Sequence, residues 1–245
     1  MRATIALSFF FSSMMFGQEW YMEPNGDTIT RFLSSGDIRS GEVLAGLPYS
    51  AERITNEISR KIDGKYITVP ERIEKIWRDS LGRTRAERSV SNEAQTNRFT
   101  VIEIYDPVGG WYYALDPSNK IAHRITLTTP QATARAVTPA PPKETRTIEG
   151  LMAEGRSQQL STVARSTPWD VWRTIKTEEW FSPELKVVLQ STQTSFDQVC
   201  CYRYESRMRL THISRTEPDA TLFMPPSDYS TVDENATFKI VLKKP

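Results

Sequence analysis

Few residues of this 245-residue chain could do chemistry, and their spacing argues against most reactions. The histidines are His123 and His212, and the cysteines are Cys200 and Cys201. His123 sits between Ile121 and Ile125, and His212 extends an apolar strand face. Nucleophilic catalysis needs a nucleophile beside a base that a third group orients. A histidine on an apolar strand face reads instead as a packed or hydrogen-bonded structural residue. Two histidines and two adjacent cysteines give neither a metal-ligand spacing nor a disulfide framework.

Neighbours in a strand point to opposite faces. Cys200 is therefore expected to be buried and Cys201 exposed, and a bridge between them would need strained geometry. The carboxylate pairs Glu178-Glu179 and Asp233-Glu234 diverge for the same reason and make no ready acid/base dyad. Gly109-Gly110 lies between two strands rather than at a helix start, so it reads as no phosphate loop. Asn235-Ala236-Thr237 matches a glycosylation sequon, which carries little weight in a bacterial-type chain. The sequence thus assigns no catalytic, cofactor-binding or metal-binding residue and no cofactor, and it predicts a protein that is not an enzyme.

Charge narrows the partners. Met1-Arg2, an uncharged run from Ala3 to Phe16 and then Gly17-Gln18-Glu19 form the pattern of a secretory signal peptide over residues 1–17. Removing it takes Arg2 away and leaves 30 basic against 30 acidic residues. A neutral chain is a poor match for nucleic acid or an anionic lipid surface, which need a basic excess. Arg78, Arg83, Arg85 and Arg88 do cluster, but Asp79 and Glu87 lie among them, and the group reads as a solvated, self-neutralising strand face. Nothing after the signal is long and apolar enough to span a membrane. The expected location is periplasmic or extracellular.

The elements that must position these residues are strands. Residues 18–47 read as a loosely ordered N-terminal arm, with a short helix within Thr28–Ser35. From residue 48 the pattern becomes that of half-buried strands, and residues 48–245 are expected to form a single antiparallel β domain. Ile54, Ile58 and Ile62 share one face of Arg53–Ile62, and Asp63-Gly64 is a hairpin signal leading to Ile67–Arg78. Further strands are Thr84–Val90, Arg98–Tyr105, Trp111–Leu115 and Ile121–Leu127. A Pro-rich linker over 128–143 then separates two strand-rich halves. Beyond it come Thr147–Gly155, Gln159–Arg165, Val171–Phe181, Leu185–Thr192 and Val199–Ile213. In the last of these, Cys200, Tyr202, Tyr204, Met208, Leu210 and His212 share a face. Leu222 and Phe223 plug the core, and Phe238–Leu242 is a final edge strand guarded by lysines. The fold class is all-β, a large curved antiparallel sheet or incomplete β-barrel with few short helical turns. Trp77, Trp111, Tyr112, Tyr113, Trp169, Trp172, Trp180 and Phe181 lie on or beside strands and read as core first. An aromatic-rich concave sheet could otherwise hold an acyl chain.

Several short motifs run through the chain in order: Pro48-Tyr49-Ser50-Ala51-Glu52, Trp77-Arg78-Asp79-Ser80-Leu81-Gly82-Arg83-Thr84-Arg85, Asp106-Pro107-Val108 and Leu115-Asp116-Pro117. Thr147-Ile148-Glu149-Gly150, Trp180-Phe181-Ser182-Pro183-Glu184-Leu185, Glu217-Pro218-Asp219 with Leu222-Phe223, and Pro226-Ser227-Asp228-Tyr229 complete the set. Together they resemble a family of uncharacterised exported bacterial proteins, a resemblance that implies no functional residue. The strand count and the Leu-Phe-then-Pro ending more loosely resemble the lipoprotein-carrier (Lol-type) half-barrel, which holds acyl chains beneath lid helices. This chain departs from that pattern in having no clear lid helices.

These observations point to an exported, non-catalytic envelope or extracellular protein that binds a protein or cell-envelope component. A carrier or sensor of an apolar ligand is the alternative, and a secreted hydrolase is a more distant one. The strand register makes a prediction about the thiols. In the folded protein Cys201 reacts with a water-soluble thiol reagent, whereas Cys200 reacts after denaturation, and equal native reactivity of the two shows the register to be wrong.

Overall fold

A computed structural model describes residues 20–31, 43–60, 66–91, 98–128, 144–164, 171–197, 203–235 and 237–242. These residues form fifteen strands and one short 3-10 turn. Twelve strands belong to a large open sheet and three to a small one, and nearly every pairing is antiparallel. The fold is all-β, as the period-two alternation predicts. Residues 1–17, read as a signal peptide, residues 129–143 of the expected linker, the Asp63-Gly64 hairpin signal and the Cys200-Cys201 pair lie outside the described residues. Among the described residues no helix is long and apolar enough to cross a membrane.

The chain divides into two compact units. Unit 1 takes Met1–Ser50, Glu74–Pro139 and Ser214–Pro245, and unit 2 takes Ala51–Ile73 and Ala140–Ile213. The boundaries fall inside strands β3 (Tyr49–Arg60) and β4 (Tyr66–Arg78).

Unit 1 contains a meander in which the end of β4 leads into β5 (Thr84–Ser91), β6 (Arg98–Asp106), β7 (Trp111–Asp116) and β8 (Ile121–Thr126). The Asp-Pro motifs make the turns between β6 and β7 and between β7 and β8. Asp106 Oδ1 accepts hydrogen bonds from the amides of Val108 (3.1 Å) and Gly109 (2.8 Å). Asp116 Oδ1 does the same for Ser118 (3.0 Å) and Asn119 (3.1 Å). An Asp side chain accepting from the backbone two residues on is what favours it in turns. A four-residue strand, β14 (Ser230–Asp233), runs parallel beside β8.

The small sheet also belongs to unit 1 and joins β1 (Trp20–Met22), β2 (Thr28–Arg31) and β15 (Phe238–Val241). Thr28–Arg31 is thus a strand, not the short helix its sequence suggested. Thr28-Ile29-Thr30 is a run of β-branched residues, which favour strands, and the ladder that holds it, Arg31↔Phe238 to Thr28↔Val241, is too remote to be seen locally. The small sheet covers one face of the meander. Trp20, Met22, Ile29, Phe238 and Ile240 pack there against Val101, Tyr112, Ala114, Ile125 and Leu127. The opposite face carries Ile104, Leu115 and Ala122, and Phe223, Leu222 and Tyr229 cover it. Both faces of this sheet are therefore filled by the chain's own side chains.

Unit 2 is built on β9 (Glu144–Ile148), β10 (Leu151–Ala164), β11 (Val171–Ser182), β12 (Val187–Asp197) and β13 (Arg203–Ser214). The segment Thr147–Gly155, read from sequence as one strand, is broken at Glu149 (φ 50°) and Gly150 (φ 76°). Two positive-φ residues between the paired Ile148 and Leu151 make a primed hairpin turn. A glutamate there hides the turn from a search for Asn-Gly or Asp-Gly. Gly155 then sits inside β10 opposite Trp180, and a Cβ on it would come within 3.3 Å of the indole ring. The β11–β12 ladder shifts register between Trp180 and Phe181.

On β13 the alternation holds from Arg203 to Leu210, with Arg203, Arg207 and Arg209 exposed and Leu210 buried. It fails at His212, whose φ of 54° turns the ring out to 79% exposure, away from the apolar face expected for it.

Phe238 shows how the two sheets of unit 1 depend on each other. Its ring meets Trp20 edge-on at 5.9 Å and stacks on His123 at 4.4 Å. Phe238→Ala is expected to destabilise by about 3–5 kcal/mol, read in urea unfolding as a lower midpoint at unchanged slope.

Candidate functional site

A carboxylate surrounded by apolar strands is the most unusual feature of unit 1. Glu103, on β6 between Ile102 and Ile104, has no solvent exposure. Trp20 Nε1 donates to its Oε1 at 3.0 Å, and the Tyr112 hydroxyl donates to the same oxygen. Arg88 Nη2 lies 2.8 Å from Oε2, an ion pair rather than an aligned hydrogen bond. Arg31, 1% exposed, brings Nη2 to 3.9 Å of Oε1, and its guanidinium lies 5.6 Å from the Trp20 ring centre and 5.4 Å from that of Tyr112. Burial and then the Glu103 charge push the Tyr112 phenol well above its ordinary range. Trp20 and Arg31 come from the small sheet and the other three residues from the large one. The cluster joins two layers and is closed to substrates.

A second cluster follows the motif Trp77–Arg85. Asp79 Oδ1 accepts from the amides of Leu81 (3.1 Å) and Arg83 (2.8 Å), and its Oδ2 takes Arg83 Nε at 2.6 Å. Gly82 closes the turn at φ +85°, where a Cβ would stand 2.9 Å from Val43 Cγ1. Arg78 donates to the Leu47 carbonyl at 2.8 Å and lies 4.7 Å from the Tyr49 ring, and burial lowers its pKa. Arg85 pairs with Glu87 at 2.6 Å. The arginines are therefore not a solvated face: the side chains of Arg83, Arg85 and Arg88 are 10–14% exposed. Each has a carboxylate within the fold, so the group is self-neutralising but internal.

The same motif receives a distant one. Ser80 donates to Glu217 through its amide (3.0 Å) and its hydroxyl, bonds that hold the Glu217 carboxyl below its ordinary range. Arg83 lies 5.2 Å from the Phe223 ring, and Arg85 Nη1 donates to the Leu222 carbonyl at 3.0 Å. Phe223, at the end of the 3-10 turn Ala220–Phe223, is 1% exposed. Burial of such a ring is worth roughly 1.5–3 kcal/mol.

The titratable residues singled out in the sequence are dispersed. His123 is buried, with Nδ1 2.8 Å from Glu234 Oε1 and its ring on Phe238. Asp233 turns the other way and takes Arg124 Nε and Nη2 at 2.6 and 3.0 Å, which keeps its carboxyl below the ordinary range. Glu178 pairs with Lys176 at 2.6 Å on the exposed face. Burial raises the pKa of Glu179 on the other face, against the opposing charge of Arg156. His212 reaches Glu52 at 3.2 Å through Nδ1, and its amide reaches Glu149 at 3.2 Å. Among the described residues no three His, Cys, Asp or Glu side chains form a metal cluster.

Unit 2 offers surfaces instead. Cross-strand partners share a face, so the register defines rows across β10, β11, β12 and β13. One face carries Ser157–Glu178–Thr192–Arg207 and Gln159–Lys176–Thr194–Glu205. The other carries Leu160–Ile175–Ser195–Tyr204 and Arg156–Glu179–Ser191–Met208. Ser157, Gln159, Ser161, Lys176 and Glu178 are exposed, whereas Leu160, Ile175, Tyr204 and Met208 are half-buried. At the edge of the polar face Arg146 lies 3.6 Å from the Trp180 ring centre and donates to Gln190.

No protein-family model matches the chain. No curated protein matches it either. Among solved structures, LprF from Mycobacterium bovis is similar at 9% identity and a TM-score of 0.30, over 71% of this chain and 90% of that one. A DUF1329 family protein from Desulfovibrio piger is similar at 8% identity and a TM-score of 0.22, over 74% of this chain and 91% of that one. The motif resemblance to exported bacterial proteins has no matching family model behind it, but the motifs now have physical roles as turn caps, hairpin turns and mutual contacts.

Sequence reasoning missed Trp20, Arg31 and Glu103. The available signal was Glu103 itself, a charge on the same strand face as Val101 and Tyr105. Glu103→Ala leaves two buried guanidinium groups with one carboxylate fewer and is expected to cost about 3–5 kcal/mol. Equilibrium urea unfolding measures this, and a loss below 1 kcal/mol would show that the cluster is not what joins the sheets.

Proposed function

We propose that the chain is an exported, non-catalytic binding protein of the cell envelope or extracellular space, and that it engages a protein or cell-wall component through the polar sheet face of unit 2. The observation that carries this reading is the regular row structure of that face. Eleven consecutive β10–β11 partners keep their register, from Glu154↔Phe181 to Ala164↔Val171. They hold Ser157, Gln159, Ser161, Lys176 and Glu178 in fixed, outward positions. A rigid platform of this kind needs little ordering on binding, which favours affinity. In unit 1, by contrast, the charged motif residues are occupied by partners within the fold.

A specific feature supports a second reading, the carrier of an apolar ligand. The opposite face of the same strands presents Leu160, Ile175, Tyr204 and Met208 half-buried. Both faces of the unit 1 sheet are filled, so an acyl chain would have to use unit 2.

The test uses purified mature protein and two isolated envelope fractions, cell-wall polymer and membrane vesicles, in co-sedimentation. Ser157→Arg with Gln159→Arg, both exposed on that face, is expected to weaken capture by the bound fraction about tenfold, a loss of about 1.4 kcal/mol. Its folding stability should stay within about 0.5 kcal/mol of the parent. Capture that the double variant leaves unchanged removes the polar face from the reading. Hydrolysis of a lipid, peptide or glycan substrate, abolished by one substitution, ends the non-catalytic reading. An apolar molecule retained in native mass spectrometry favours the carrier.

A further inference from the structure

We infer that the segment Thr216–Tyr229 of unit 1 is a detachable strap, which covers an apolar patch of the meander and can lift from it while the sheet stays folded. Three observations place it in this role. Its hold on the sheet comes from side chains. Among the described residues its backbone-to-backbone hydrogen bonds are local, Leu222 to Asp219, Met224 to Thr221 and Tyr229 to Pro226, and the Leu222 carbonyl is held by the Arg85 side chain at 3.0 Å. The ladder resumes at Ser230, whose amide donates to the Lys120 carbonyl at 2.9 Å.

Its burial is concentrated at one point. Phe223 is buried and Leu222 and Tyr229 are half-buried, whereas Glu217, Asp219, Ala220, Thr221, Met224 and Asp228 are exposed. Its ends are tied by exposed pairs, Glu217 to Ser80 and Asp228 to Lys120 at 2.8 Å. Beneath it lie Trp77, Ile104, Tyr113, Leu115 and Ala122, a continuous apolar patch. Segments with few buried apolar contacts and no backbone ladder to a strand open at lower free energy than the whole domain. Lifting the strap would expose the patch and leave the other face of the same strands sealed by the small sheet.

That two-sidedness supplies the test. Ala122 faces the strap and Ala114 faces the small sheet, and both have no exposure. In full-length mature protein with Cys200→Ser and Cys201→Ser, the single variants Ala122→Cys and Ala114→Cys are labelled with a thiol reagent under native conditions. Labelling at position 122 is expected to be at least about tenfold faster than at 114, as sub-global opening predicts. Adding Glu217→Gln and Asp228→Asn should accelerate position 122 about threefold or more and leave position 114 unchanged. Hydrogen exchange on the chain without these substitutions gives a second measurement that does not depend on either cysteine variant folding. The amides of Leu222, Met224 and Tyr229 should exchange with a smaller denaturant dependence than that of Ile104. Equal labelling of the two positions, or one common denaturant dependence, overturns the strap.

Discussion

The interior of unit 1 depends on a negative charge that has no access to water. A carboxylate in a strand core is tolerated when donors and cations surround it, and Glu103 has two arginines, an indole and a phenol. Those groups come from both layers, so the charge can be buried once the small sheet has docked on the large one. Hydrophobic contacts between the layers, such as Ile29 and Ile240 against Val101 and Tyr112, are non-directional and would tolerate sliding. The charge cluster does not, since a slide of one residue, about 3.3 Å, would carry Arg31 and Trp20 out of reach of Glu103. Stability comes mainly from apolar burial, and alignment comes from the ions.

A parallel division of labour runs through the motifs. Asp79, Asp106 and Asp116 each accept backbone amides in a turn, and Glu217 accepts one from a turn far away in sequence. These carboxylates satisfy backbone donors that a turn leaves unpaired. Asp233 and Glu234 are also taken up within the fold, but by side chains of β8, Arg124 and His123.

Local periodicity made much of the large sheet legible. The strands from Thr84 to Ile125 fall close to where alternation puts them, because each is half-buried and joined to the next by a short turn. What could not be read was set by partners remote in sequence or by backbone conformation. Thr28–Arg31 is extended because Phe238–Val241 lies beside it. Glu149 and His212 adopt positive φ, which their side chains do not advertise, and so one strand became a hairpin and one histidine left its face. The arginine cluster showed its charge balance in sequence but not its burial, since Phe223 and Leu222, which help to cover it, arrive from the far end of the chain. The candidate site in unit 2 was legible as strands and not as a surface, because faces follow from register.

The register Arg31↔Phe238 has a consequence for how the molecule is made. β2 emerges well before its partner β15, and closing the loop between Arg31 and Phe238 spans 207 residues (238 minus 31). Until β15 arrives, Trp20, Met22 and Ile29 lack one wall of their core. A nascent chain that cannot finish its first unit early stays open longer, which slows native burial. The cost is a period in which apolar strands are uncovered and open to association with other chains. The order of strands in space thus sets a late, cooperative closing step in biogenesis.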